Sequence, residues 1–138
     1  MPASETINLR LTIVDPVPGV TYSLQDKKSQ PVGPQVARGT PLSFDVPVEV
    51  AAGPRFLGEF VRAEGPERRF VYIAIGGQAG DGASAWSRRA KIDIHTLPAA
   101  LLDAALAGRT LETRLPGRDR RGEPACATLE ADWTVVGS

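Results

Sequence analysis

Leu42, Phe44, Val46, Val48 and Val50 recur at every second position, with Ser43, Asp45, Pro47 and Glu49 between them. Successive side chains of an extended strand point to opposite faces, whereas a helix returns to one face after about 3.6 residues. This nine-residue alternation therefore demands a sheet with one dry face and one wet face, and it excludes a helix. Pro47 falls on the wet face and has no N–H to give to a ladder, which predicts an edge strand or a bulge.

The same period recurs along the chain. Ile7, Leu9, Leu11 and Ile13 alternate with Asn8, Arg10 and Thr12, and Asp15-Pro16-Val17-Pro18-Gly19 ends that strand. Val20, Tyr22 and Leu24 predict a second strand paired with the first, and residues 25–41, with Pro31, Gly33, Pro34 and Gly39, predict a long loop. Phe56, Leu57, Phe60 and Val61 form a short apolar segment broken by Gly58, and Glu64-Gly65-Pro66-Glu67 reads as a turn. Arg69-Phe70-Val71-Tyr72-Ile73-Ala74-Ile75 is apolar on both faces, the pattern of a central strand. A glycine-rich connection over 76–88 follows, and then a strand marked by Ala90, Ile92 and Ile94.

One helix is predicted, over about 97–107, with Thr96 as its cap, Pro98 in its first turn and Gly108 as its stop. Its apolar face carries Leu97, Leu101, Leu102, Ala105 and Leu106. Leu111, Thr113 and Leu115 mark another strand, residues 116–124 a charged loop, and Ala125 to Val135 a last strand. The fold class expected is mainly β (α+β): an antiparallel β-sandwich or open barrel of about eight strands with one helix, in a single domain over 1–138.

Composition narrows the function classes. Sixteen basic side chains balance sixteen acidic ones, which argues against nucleic acid and anionic membrane as partners. The balance is uneven: residues 61–121 carry 11 basic and 7 acidic side chains, so a local basic face is allowed. No apolar run approaches the roughly 20 residues of a membrane helix, and the N-terminal residues do not follow a signal-peptide pattern. The one cysteine, Cys126, leaves no internal disulfide and no multi-cysteine metal site within one chain, so a cytoplasmic location is the simplest expectation.

The candidate site is a stretch, not a motif. Gly76-Gly77-Gln78-Ala79-Gly80-Asp81-Gly82 lets backbone approach a ligand, but it matches neither the dinucleotide fingerprint nor the phosphate loop. Trp86-Ser87-Arg88-Arg89-Ala90-Lys91 sets an indole beside three cations, a combination that stacks on a flat group and holds a phosphate or carboxylate. Alternation puts Arg89 and Lys91 on one face. The ligand-binding residues expected are Gly77, Gly80, Trp86, Arg88, Arg89 and Lys91, and the plainer alternative is a solvated strand face with a surface connection. His95 and Cys126 have no partner near them in sequence, and Asp81, Asp93, Asp103 and Asp119 are scattered, so no catalytic residue, metal site or cofactor is expected.

Four stretches, taken together, resemble a bacterial family classed only as a domain of unknown function. They are Val14-Asp15-Pro16-Val17-Pro18-Gly19-Val20; Phe56-Leu57-Gly58-Glu59-Phe60-Val61 with Arg69-Phe70-Val71-Tyr72-Ile73; Ala79-Gly80 through Trp86-Ser87-Arg88-Arg89-Ala90-Lys91-Ile92; and Pro124-Ala125-Cys126-Ala127-Thr128. The resemblance covers nearly the whole chain and implies a free-standing bacterial protein; it brings no activity or catalytic residues. The function expected first is a non-enzymatic binding module for a small anionic or aromatic ligand at residues 76–88. A partner-binding or self-assembling protein using the 42–50 edge strand comes second, and a hydrolase-like enzyme third.

Overall fold

In the computed structural model, residues 5–28, 30–51, 55–64, 68–77, 86–94, 97–118, 120–122 and 128–137 are described. They form eleven strands and one helix: β1 (Glu5–Ile13), β2 (Val20–Gln25), β3 (Pro31–Val36), β4 (Leu42–Ala51), β5 (Arg55–Leu57), β6 (Val61–Ala63), β7 (Arg69–Gly77), β8 (Trp86–Asp93), α1 (Ala99–Leu106), β9 (Thr110–Leu115), β10 (Thr128–Glu130) and β11 (Trp133–Gly137). One sheet runs β11-β9-β1-β4-β5 and the other β10-β8-β7-β2-β3, with β6 continuing the β2 edge of β7. Most neighbours are antiparallel; β1 with β9 and β8 with β10 are parallel. No helix among the described residues is long and apolar enough to cross a membrane.

Alternation sets the register. Ile7, Leu9, Leu11 and Ile13 lie opposite Val48, Val46, Phe44 and Leu42, and all eight are buried. A slip of one residue would turn the whole row to water, at about 1.5–3 kcal/mol for each large side chain exposed. On the facing sheet, Tyr22, Leu24, Val71, Ile73, Ile75, Ala90 and Ile92 join the same core. Polar groups drawn into the fold are bonded: Thr113, fully buried, accepts the Asp132 amide at 2.9 Å, and Thr12 donates to Glu112 at 2.8 Å.

Pro47 behaves as its missing N–H requires. β5 pairs only with Glu49–Ala51, so Leu42–Val48 has a strand on one side alone among the described residues. The Ser43 carbonyl on that open side accepts from the Gln35 side chain of β3 at 3.0 Å. Ser43, Asp45 and Pro47 point their backbone groups the same way, so one carbonyl is occupied and one donor is absent, which blunts the edge.

Several expectations need correction. The loop expected over 25–41 contains β3, whose residues are almost all exposed; a strand with a free edge tolerates Pro31 and Pro34 because only one side of it is bonded. The strand expected over 125–135 is two: β10 pairs with β8 in one sheet, β11 with β9 in the other, and the chain steps across at Ala131–Asp132. The chain between β9 and β10 therefore passes from one sheet to the other. The 76–88 connection is shorter than expected, since Gly76 and Gly77 pair with Ser87 and Trp86. The helix starts after Pro98, which makes no side-chain cap; Thr96 lies outside the described residues. Leu97, Leu101 and Leu102 pack on the core, but Leu106, the last residue of the helix, is 38% exposed. The count of about eight strands becomes eleven because β3 takes the place of a loop and the segments 56–61 and 125–135 each hold two strands, of which β5, β6 and β10 are only three residues long.

The crossing from β1 to β2 is locked by a small cluster. The Val17 amide donates to the Tyr22 hydroxyl at 3.0 Å, and Arg118 pairs with Asp15 at 3.2 Å. Gly117 packs so tightly here that a Cβ would collide with the Asp15 carbonyl and stand 2.7 Å from the Pro16 nitrogen. Backbone cannot move aside as a side-chain tip can. Gly117→Ala is therefore expected to lower stability by about 2–3 kcal/mol, read as a drop in urea midpoint with an unchanged slope. Burial raises the Tyr22 pKa above its ordinary 10.0. The folded chain thus holds this proton at a pH where the unfolded chain has released it, so stability is intact below about pH 10 and falls as pH rises through the raised value. Tyr22→Phe should cost about 1 kcal/mol at neutral pH, through the unpaired Val17 amide, and should flatten the alkaline decline in unfolding midpoint.

Candidate functional site

β7 presents large apolar groups to both sides. Val71, Ile73 and Ile75 enter the core, and Phe70 and Tyr72 emerge on the outer face of the same sheet. Both rings are nevertheless buried, at 2% and 5% exposure. Four cations from the flanking segments cover them. Arg68 lies 5.0 Å and Lys91 4.7 Å from the Phe70 ring centre; Arg62 lies 4.9 Å and Arg89 4.6 Å from that of Tyr72. The register explains the convergence: Tyr72 is opposite Lys91 on β8, and Phe70 is opposite Arg62 on β6. Cations over aromatic faces are attracted by the ring quadrupole, by about 0.5–1 kcal/mol each at exposed positions, while their alkyl stems shed water from the rings.

Carboxylates neutralise only part of this charge. Glu64 accepts from the Tyr72 hydroxyl and from Lys91 at 2.7 Å, so one carboxylate ties the ring to its cover. Arg68 pairs with Asp93 at 3.2 Å, and Arg62 donates to the Asp26 carbonyl at 2.7 Å. Arg89 differs. It is exposed, it stacks on Tyr72, and no carboxylate among the described residues pairs with it. Beyond it the residues on the outward register are small: the partly buried Ala74 and Gly76 on β7, with Thr21 and the buried Ser23 beside them on β2. The result is a basic face on which the exposed Arg89 guanidinium covers the buried Tyr72 ring, chemistry that suits an anion.

Of the residues singled out from the sequence, Arg89 and Lys91 are brought together on this face. Gly77 ends β7 opposite Trp86, the first residue of β8. Arg88 occupies the register position of the inward Ile75, one step from Arg89, which is opposite Ala74. The side chains of Trp86 and Arg88 lie outside the described residues, as do Gly80, His95, Cys126, Asp81 and Asp119. Asp103 is exposed on α1, and no group of metal-binding side chains occurs among the described residues. Sequence reading missed Phe70, Tyr72, Arg62 and Glu64 as members of the site. The available signal was the aromatic pair at 70 and 72 on the outward register of a strand apolar on both faces, which requires a cover from somewhere.

A family model of unknown function matches residues 7–136. No curated protein and no solved structure matches the chain.

If the cations act mainly as a cover, the ring matters far more than the ion pair. Tyr72→Ala is expected to cost about 3–4 kcal/mol in chemical denaturation, the range for deleting a buried aromatic side chain. Glu64→Gln, which removes only the half-exposed pairing with Lys91, should cost less than about 1 kcal/mol in the same measurement.

Proposed function

The chain belongs to that family, the family of unknown function DUF5990, so the site alone must carry the reading, and we propose that this protein is a non-enzymatic binding module for a small anion bearing a flat group. The observation that supports it is the exposed Arg89 guanidinium, 4.6 Å from the Tyr72 ring centre and without a carboxylate partner among the described residues. A guanidinium already held on a ring is pre-organised: it loses little freedom when it takes an anion, and its five donors suit a phosphate or carboxylate. The small residues at 74 and 76, on the outward register of β7, leave room for the ligand's flat part beside it. Lys91 adds long-range attraction although its own charge is paired with Glu64.

A binding role is favoured over catalysis because the described groups on this face are cations, rings and two tied carboxylates, with no nucleophile–base pair among them. The lone cysteine supports placing the module in the cytoplasm.

Thermal unfolding with inorganic phosphate, adenosine monophosphate and benzoate at millimolar concentration tests the proposal. A ligand at about 100 times its Kd stabilises by about 2.7 kcal/mol, so at least one flat anion should raise the melting temperature by several degrees, and Arg89→Ala should abolish the rise. A rise that survives Arg89→Ala, or no rise with any of the three, overturns it.

A further inference from the structure

The turn between β2 and β3 is fastened by its own aspartate. The Asp26 carboxylate accepts the Lys28 and Gln30 amides at 2.9 Å each, and the Asp26 amide donates to the Gln30 carbonyl at 3.0 Å. Lys27 and Lys28 therefore stand on a fixed backbone with their side chains exposed. They line an open cleft of about 600 Å³ together with Glu49 of β4 and Glu59 of the β5–β6 turn. The glutamates are held as firmly at the backbone. Glu49 pairs with Thr6 on one side and Leu57 on the other, and the Val61 amide donates to the Gly58 carbonyl at 3.3 Å to close the turn that carries Glu59. Two ammonium groups and two carboxylates thus border one space, yet among the described residues none of the four side chains takes part in an ion pair or a hydrogen bond. Leu57, 41% exposed, adds an apolar surface to the same lining.

We infer that this cleft binds a dipeptide-sized zwitterion, its carboxylate toward Lys27 and Lys28 and its ammonium toward Glu49 and Glu59. Charge selects this class. A simple anion is drawn by the lysines and repelled by the glutamates, and a simple cation meets the reverse; a ligand with one charge of each sign is attracted by both sets. Separation sets the length. The opposed groups come from different segments and stay beyond the 4 Å of an ion pair, so a ligand that serves both must carry its charges at its two ends. Two residues of extended chain span at most roughly 7 Å, which suits such a gap. Leu57 gives an aliphatic side chain of the ligand a surface to cover. The volume is within the roughly 300–1,000 Å³ of small-molecule sites. Because the backbone under all four charges is tied down beforehand, little ordering of the protein opposes binding. The site uses none of the cations that cover Phe70 and Tyr72, and it does not rest on the reading of Arg89.

The test is a titration of the ¹⁵N-labelled full chain with glycyl-leucine, followed by amide chemical shifts, beside two analogues that each lack one charge: N-acetyl-glycyl-leucine and glycyl-leucinamide. Glycyl-leucine at millimolar concentration should give saturable shifts at Lys27, Lys28, Leu57 and Glu59. Each analogue should bind about fivefold more weakly or worse, the upper range for an exposed ion pair. Lys27→Gln with Lys28→Gln, and Glu49→Gln with Glu59→Gln, alter exposed side chains only. Each pair should weaken glycyl-leucine by a similar factor at an unchanged melting temperature, and Arg89→Ala should leave the affinity unaltered. Absence of saturable shifts at these amides, equal binding by either analogue, or undiminished binding in either double variant overturns the inference. Loss of binding in Arg89→Ala overturns it too, by assigning the ligand to the basic face.

Discussion

Strand β7 is apolar on both faces, so it needs a cover on each. The inner cover is ordinary: Val71, Ile73 and Ile75 meet the side chains of β1, β4 and β9 across the sandwich. The outer cover is not a further layer of backbone but a set of long cationic side chains from β6, β8 and the turn before β7. This choice has an electrostatic result. Shielding two rings with arginine and lysine concentrates positive charge on one face of a chain whose total charge is zero. Among the described residues, the carboxylates of Glu64 and Asp93 neutralise part of that charge within the protein.

The rest of the architecture holds that strand in place. β1 and β4 pair through nine registers and β9 closes on β1 in parallel, which makes a stiff platform behind β7. Crossings between the sheets are fastened individually: Tyr22, Gly117 and the Arg118–Asp15 pair at one, the Thr113–Asp132 bond at another, and Gln35 on Ser43 where β3 meets the open side of β4. Each fastening is local and polar, and each sits where alternation stops and the chain must turn. The helix between β8 and β9 contributes Ala105, Leu101 and Leu102 to one side of the core and no residue to the basic face.

Legibility in the sequence follows the strength of the periodic signal. β1, β2, β4, β7 and β8 were readable because each repeats an apolar residue about three times or more in one register, and β9 because Leu111, Thr113 and Leu115 keep the same period. β3 was not: an edge strand bonded on one side tolerates proline and glycine and buries nothing, so its residues look like a loop. The switch of sheets at Ala131–Asp132 was hidden because Leu129, Ala131, Trp133 and Val135 keep their period through the crossing. For the site, the Arg89–Lys91 face was legible from alternation alone, whereas Arg62 and Glu64 join it only through pairing across β6 and β7.

By itself the sequence determined that this chain builds sheets, with one helix, around a core of alternating aliphatic residues, because a period of two leaves no other way to bury them. It also determined that positive charge gathers in residues 61–121. Only the tertiary structure decided which sheet each strand joins and which cations end up over which ring. Those outcomes depend on contacts between segments far apart in the chain: Gln35 with Ser43 and Asn8 with Thr110 bridge strands, and Lys91 with Glu64 and Arg62 with Tyr72 assemble the basic face. No local pattern carries such pairings, since burial and charge neutralisation are settled only when the partners meet.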